Sequence, residues 1–362
     1  MRAQIRGVSG IGHGWLRIIF AGRKVLIKIS ERESGKEGYM NYQWYPGHMT
    51  KARRMMEENI KLIDLVIELV DARIPLASRN PDIDALGRNK SRLILLNKSD
   101  LSDERANKRW KEYFKKQGMF VLEVNSQSGA GIKAIHGIVQ EACKEKIERD
   151  RKRGILNRPV RAMVVGIPNV GKSTFINSFA GKACTKTGNK PGVTKGKQWI
   201  RLNKSLELLD TPGILWPKFE NQEVGLKLAL IGSMNDSVVS VTDMAADLIG
   251  MLKEQYGGVL KKRYEADEEK DAFELLKDIA RKRGCLLKGE ELDTEKAAAL
   301  LMDDFRSGRL GRITLELPPV SESGSDENMP GCRGDGQGVP VGSDGNSRPG
   351  RTEVLCRKEY GP

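Results

Sequence analysis

The sequence predicts a mostly parallel α/β sheet with helices on both faces, followed by a smaller all-helical domain. Two observations carry this expectation. Between about residues 44 and 214, short apolar runs of strand length alternate with longer amphipathic runs of helical period, the pattern of βα units whose crossovers cover both faces of a sheet. After Trp216 the strand signals fade, and residues 224–256 and 271–305 read as amphipathic helices with stops at Gly257-Gly258 and Gly284.

The candidate buried strands are 65–70, 93–96, 120–124, 162–166 and 206–209, each rich in Leu, Ile, Val or Ala. Helical stretches lie between them at 51–61, 104–117, 131–149 and 172–180, and the charged run 144–158 reads as a solvated helix end and linker. The expected organisation is an extension at 1–39, an α/β domain at 40–216, a helical domain at 217–317 and a tail at 318–362. The tail is rich in Gly, Pro, Ser and Asp, and buries too little apolar surface to offset its ordering entropy, so disorder is expected there. Residues 1–30 contain Arg and Lys but no Asp or Glu. Either they are a mitochondrial presequence or translation begins at Met40, the preferred reading; no fold is assigned to 1–39.

A formal net charge of +14 over 362 residues draws the chain toward polyanions, nucleic acid being the commonest, although a well-solvated surface gives the same number. Five cysteines without CxxC spacing and only three histidines argue against a disulfide framework or a zinc site. No apolar run approaches the roughly 18 residues of a membrane span.

The strongest local signal is Gly166-Ile-Pro-Asn-Val-Gly171-Lys172-Ser173, a GxxxxGK[ST] loop between an apolar strand and a helix. Its glycines let successive N–H groups face phosphates at a helix N-terminus. Lys172 is placed to bridge the β- and γ-phosphates, and Ser173 to give its hydroxyl to Mg²⁺. Asp210-Thr-Pro-Gly213 follows a second apolar strand, where Asp210 can hold Mg²⁺ through water and the Gly213 N–H can contact a γ-phosphate. Thr194, in Lys190-Pro-Gly-Val-Thr194, is the candidate switch residue for Mg²⁺. The base is read by Asn97-Lys98-Ser99-Asp100, in which Asp100 accepts both guanine N1–H and N2–H₂, a pair that adenine cannot supply. Asn97 ties this loop to the phosphate loop, and Lys98 lays its stem across the base. Asn125-Ser126-Gln127 fits a second guanine loop, with the Ser126 N–H toward O6.

These elements stand in permuted order: the base-reading loops precede the phosphate loop, the reverse of ordinary small GTPases. The segment after Gly213 therefore runs directly into the helical domain, so a γ-phosphate-dependent movement would be transmitted there. Ile214 stands where Ras-type GTPases carry a water-orienting glutamine. His48, in Trp44-Tyr-Pro-Gly-His48-Met, is a candidate to orient water instead; capping the next helix or contacting RNA are the alternatives. The Asn169 amide oxygen can coordinate a monovalent cation beside the phosphates, or simply serve a turn.

The permuted order, Gln43-Trp-Tyr-Pro-Gly-His-Met-Thr-Lys-Ala-Arg53, the loop from Gly166 through Val170, Gly171 and Lys172 to Ser173-Thr174, Arg281-Lys-Arg-Gly-Cys-Leu-Leu287 and Asp304-Phe-Arg-Ser-Gly-Arg-Leu-Gly-Arg312 closely resemble the ribosome biogenesis GTPase A branch of the circularly permuted YlqF/YawG family, over residues 40–317. The resemblance implies a circularly permuted P-loop GTPase domain and a late assembly role on the large ribosomal subunit. It implies GTP/GDP and Mg²⁺ as ligands, K⁺ through Asn169, His48 as the catalytic histidine, and GTP contacts at Val170 and Thr174 within the loop. It further implies a precursor subunit, rRNA and ribosomal proteins as partners, RNA contacts from the helix at Lys51 and from residues 281–283, hydrolysis stimulated by the subunit, and release afterwards. A cytoplasmic monomer without membrane contact is expected. Two alternatives remain: a GTP-dependent RNA-binding switch with negligible hydrolysis, and a mitochondrial relative.

Overall fold

The structure is a computed structural model that describes residues 8–11, 15–20, 23–28, 47–156, 158–184, 198–211, 213, 215, 221–234 and 240–319; for 8–11, 15–20, 23–28, 47–52 and 198 only the backbone path is described. The tail beyond 319, for which disorder is expected, lies outside these residues.

Three short strands, β1 (Val8–Ile11), β2 (Trp15–Phe20) and β3 (Arg23–Lys28), form an antiparallel meander where the sequence reading assigns no fold. Phe20 pairs with Arg23, and β2, Trp-Leu-Arg-Ile-Ile-Phe, is rich in β-branched and aromatic residues.

The main sheet begins after α1 (Gly47–Asn59). Its strands are β4 (Leu65–Asp71), β5 (Ser91–Asn97), β6 (Phe120–Val124), β7 (Val160–Val165), β8 (Gln198–Arg201) and β9 (Leu206–Asp210), in the order β6-β5-β4-β7-β9-β8. All neighbours are parallel except β8, which runs antiparallel to β9 at the edge. The helices that cross between strands are α2 (Pro81–Leu86), α3 (Glu104–Lys116), α4 (Ile135–Ala142), α5 (Lys144–Lys152) and α6 (Lys172–Ala180). Burial on both faces explains the continuous apolar strands: Leu93 and Leu95 join the layer of Ile67, Leu69 and Phe175, whereas Ile94 and Leu96 join that of Trp110 and Phe114. Glu68, the one charge inside β4 before its last residue, is buried against Arg79 (3.2 Å) and Arg92 (2.8 Å).

The strand order reverses between β4 and β7, which makes the crevice above their carboxyl ends the expected ligand position. Around it, Asn97 ends β5 opposite Asp71 of β4, the Gly166 loop follows β7, and Asp210 ends β9.

Helices α7 (Gln222–Leu230), α8 (Val241–Gln255), α9 (Val259–Tyr264), α10 (Ala272–Arg283) and α11 (Thr294–Arg306) follow. Two expected long helices are thus each divided, and short caps show why: Ser240 accepts from the Asp243 N–H, Asp271 from Phe273 and Glu274, and Asp293 from Lys296, each starting a new helix. The helical part is laced to the sheet by residues beyond α11. The Ile313 N–H donates to Leu101 O (3.0 Å), Leu315 to Arg73 O (2.8 Å) and the Trp110 indole to Glu316 O (2.9 Å). The Glu316 carboxylate accepts from the Leu76 N–H (2.7 Å) and the Ala77 N–H (3.0 Å) and stands 3.6 Å from Lys227. Glu316→Ala leaves both amides without this acceptor and is expected to lower unfolding free energy by about 1–3 kcal/mol, read from the urea midpoint. Glu316→Gln keeps an acceptor oxygen and is expected to cost less.

Candidate guanine-nucleotide site

The phosphate loop is held in a conformation that only glycine fits at both ends. At Gly166 (φ +155°) a Cβ would lie 2.6 Å from Leu69 O, and at Gly171 (φ +98°) 2.6 Å from the Asn97 amide nitrogen. Helix α6 starts at Lys172, so the N–H groups of its first turn face the loop's concavity. The buried Lys172 ammonium crosses the loop and donates to Gly166 O (3.2 Å) and Ile167 O (3.4 Å). Gly213 packs onto the same place, since a Cβ there would lie 2.9 Å from Lys172 Nζ and from Pro168 N. The residue expected to sense a γ-phosphate thereby lies beside the lysine expected to bind it.

Asp210 is buried at the end of β9, and neither carboxylate oxygen has a hydrogen-bond partner among the described residues. A buried carboxylate with both oxygens unused fits a hydrated Mg²⁺, with Ser173 in the first turn of α6 as the hydroxyl ligand. When bound, the ion supplies charge neutralisation to phosphate oxygens. Thr194, the expected switch ligand, and Ile214 lie outside the described residues.

Burial raises the Asp210 carboxyl to about 6 against the pull of Lys172, and burial lowers the Lys172 ammonium to about 8 against the pull of Asp210. Phosphate oxygens favour charged Lys172, and Mg²⁺ favours charged Asp210. Binding of Mg·GDP is therefore expected to take up protons on the alkaline side, near pH 8, and to release protons through Asp210 on the acid side, near pH 6. Calorimetry in buffers of different ionisation enthalpy reads both signs, and Asp210→Asn should remove its share of the release.

In the base-reading loops, Asn97 donates its Nδ2–H to Val170 O (2.7 Å), and its Oδ1 accepts from the Ser126 N–H (3.1 Å) and Ser126 Oγ (2.8 Å). The expected tie between base loop and phosphate loop is present. The Ser126 N–H, however, expected to face guanine O6, is given to Asn97, so Ser126 fixes the loops. Asn125 caps its own turn, accepting from Gln127 N (2.9 Å) and Ser128 N (3.0 Å). Asp100 is exposed, and Lys98, at φ +59°, sends its ammonium to Asp71 (2.8 Å).

A cleft of about 760 Å³ joins Asn97, Lys98, Asp100, Asn125 and Ser126 to Asn169, Gly171 and Thr174. Its third wall comes from the helical part: Ile231, Gly232, Met234, Asp303, Arg306 and Ser307. Sequence reasoning missed this wall and its bonds. Asn169 Nδ2 donates to Gly232 O (2.7 Å), Ser233 Oγ to Pro168 O (2.9 Å), and Arg306 to Leu230 O (2.9 Å) and Ala229 O (2.8 Å). Asp71 and Arg73 were missed as well; nothing local marks a carboxylate at a strand end as the partner of a lysine in the next loop. His48 falls in the first turn of α1, and its side chain lies outside the described residues.

A phosphate loop, an Asp-x-x-Gly strand end and an Asn-Lys-x-Asp loop around one cleft define a guanine-nucleotide P-loop protein, with the base-reading half first in the chain. Comparison with known proteins agrees. A family model described as 50S ribosome-binding GTPase matches residues 161–282. Ribosome biogenesis GTPase A of Bacillus cereus is 49% identical over 280 residues, 77% of this chain and 95% of that protein. The protein of the same name from Bacillus licheniformis is 47% identical over 280 residues, 77% and 99% of the two chains. A crystal structure of GNP-bound YlqF from T. maritima superposes with a TM-score of 0.53 at 31% identity, covering 74% of this chain and 98% of that one. The chain belongs to the ribosome biogenesis GTPase A family: it binds guanine nucleotide, hydrolyses GTP and serves ribosome biogenesis.

Proposed function

We propose that this GTPase is a late assembly factor of the large (50S) ribosomal subunit, working in the cytoplasm as a monomer. In its GTP form it binds an immature particle through rRNA and ribosomal proteins, and subunit-stimulated hydrolysis releases it. The observation that carries this reading is the shared cleft. Gly232, Arg306 and Ser307 of the helical part wall the same space as the base and phosphate loops, so the nucleotide state is available to the helices directly. Arg281, Lys282 and Arg283, in the last turn of α10, together with the α1 helix from Lys51, supply the phosphate contacts to rRNA.

For hydrolysis, His48 orients the attacking water, and Lys172 holds the β- and γ-phosphates. Asn169, whose amide is oriented by its bond to Gly232, offers Oδ1 to a K⁺ ion that adds positive charge there. Sedimentation with large-subunit precursors tests the switch. The chain is expected to co-pellet with a non-hydrolysable GTP analogue and to remain in the supernatant with GDP. Equal pelleting in both states contradicts the reading.

A further inference from the structure

Asp71 ends the central strand β4, opposite Asn97 in the register of β5. It is fully buried, and its carboxylate is surrounded by donors: Arg73 N–H (3.1 Å) and Nε (2.9 Å) on Oδ1, and Arg73 Nη2 (2.8 Å) and Lys98 Nζ (2.8 Å) on Oδ2. Two features make this more than a satisfied buried charge. First, Lys98 holds a left-handed backbone at φ +59°, a conformation an L-residue keeps only where its surroundings impose it. Its ammonium is directed back to the strand end, while Asp100, two residues on, lines the cleft. Second, Arg73 is itself clamped by the helical part, with its guanidinium over the Phe305 ring (5.3 Å to the centroid) and Nη1 on Arg306 O (3.4 Å).

We propose that Asp71 is a positioning residue for guanine recognition: it stretches Lys98 across the cleft floor so that the lysine stem is laid in place before the base arrives. Arg73 ties the same carboxylate to the end of α11, so the guanine loop is braced from the helical part. A free lysine would lose rotamer freedom on binding; one already tethered loses little, and the saving appears as affinity. The inference rests on the base occupying the cleft beside Asp100.

The test uses the full chain with Asp71→Asn, Lys98→Met, their combination and Asp100→Asn, each titrated with GDP and GTP and assayed for GTP turnover. Asp71→Asn and Lys98→Met are each expected to weaken both nucleotides about tenfold, with Asp71→Asn raising KM for GTP far more than it lowers kcat. Because Asp71 acts through Lys98, the combination is expected to bind within about twofold of Lys98→Met alone. Multiplied losses in the combination overturn the proposal. Wild-type affinity for Asp71→Asn beside a loss for Asp100→Asn also overturns it, leaving the site itself standing; unchanged affinity for Asp100→Asn overturns the site and the proposal together. Asp71→Asn leaves Arg73 with a weakened partner and can unfold, so the wild-type chain supplies an independent reading. Under limited acetylation Lys98 is expected to react about tenfold more slowly than the exposed Lys108, as a tethered ammonium should. Equal rates overturn the tether.

Discussion

Asp100→Asn is expected to convert the guanine site into a xanthine site. The Asp100 carboxylate stands exposed on the cleft rim, two residues after the anchored Asn97, and can accept from N1–H and N2–H₂ at once. An asparagine there can accept from only one of them and turns its own NH₂ toward the other. Each charge-assisted bond contributes about 1.5–3 kcal/mol, so GTP affinity is expected to fall by about 10²-fold or more. Xanthine carries an oxygen where guanine carries N2–H₂, and that oxygen accepts from the asparagine NH₂. XTP is therefore expected to bind the variant more tightly than GTP does, the reverse of the wild-type order. Competitive titration of the two nucleotides measures it; an unchanged preference for GTP would remove Asp100 from base recognition.

Gly171→Ala is expected to remove nucleotide binding by a different route. The new methyl group would lie 2.6 Å from Asn97 Nδ2, so Asn97 must retreat. That retreat breaks its bond to Val170 O, and with it the position of Oδ1 that holds Ser126. The φ of +98° adds strain of about 1–3 kcal/mol for an L-residue. Together these are expected to lower GDP affinity by about 10²-fold or more and to shift the urea midpoint downward. Gly118→Ala is the matched control. Gly118 also holds a positive φ (+75°), but no atom lies within 4 Å of a Cβ there, so it should cost stability alone and leave GDP affinity intact.

Much of this site was legible in the sequence because its signals are local. Lys172 and Ser173 follow an apolar strand and open a helix; Asn97 ends a strand that is buried on both faces and therefore apolar throughout. What was not legible is what distant residues do to one another. Asn169 meets Gly232, Arg73 meets Phe305 and Arg306, and Leu315 meets Arg73, contacts created by the packing of the turn after α7, of α11 and of the strap after it, with no trace in local periodicity. The Ser126 amide was assigned to the base because nothing local reveals that Asn97 Oδ1 takes it. The edge strand β8 was missed for a simpler reason: Gln-Trp-Ile-Arg is four residues long, too short for alternation to register. The division between α7 and α8 was hidden because amphipathic character continues on both sides of the break.

The permuted order acquires a physical meaning from these contacts. Beyond the Asp-x-x-Gly segment, Gly232 and Ser233 return to bond Asn169 and Pro168 of the phosphate loop. The helical part thus touches both the phosphate loop and, through Arg73 and Leu315, the strand end beside the base loop. Under the proposed function, a ribosomal surface that gripped those helices would act on both halves of the nucleotide site and so change the rate of hydrolysis.

The most direct test is steady-state GTP turnover in potassium buffer, with and without purified large ribosomal subunits. Turnover is expected to be slow alone and to rise at least about tenfold with subunits. Turnover that is the same with and without subunits would contradict the proposed function.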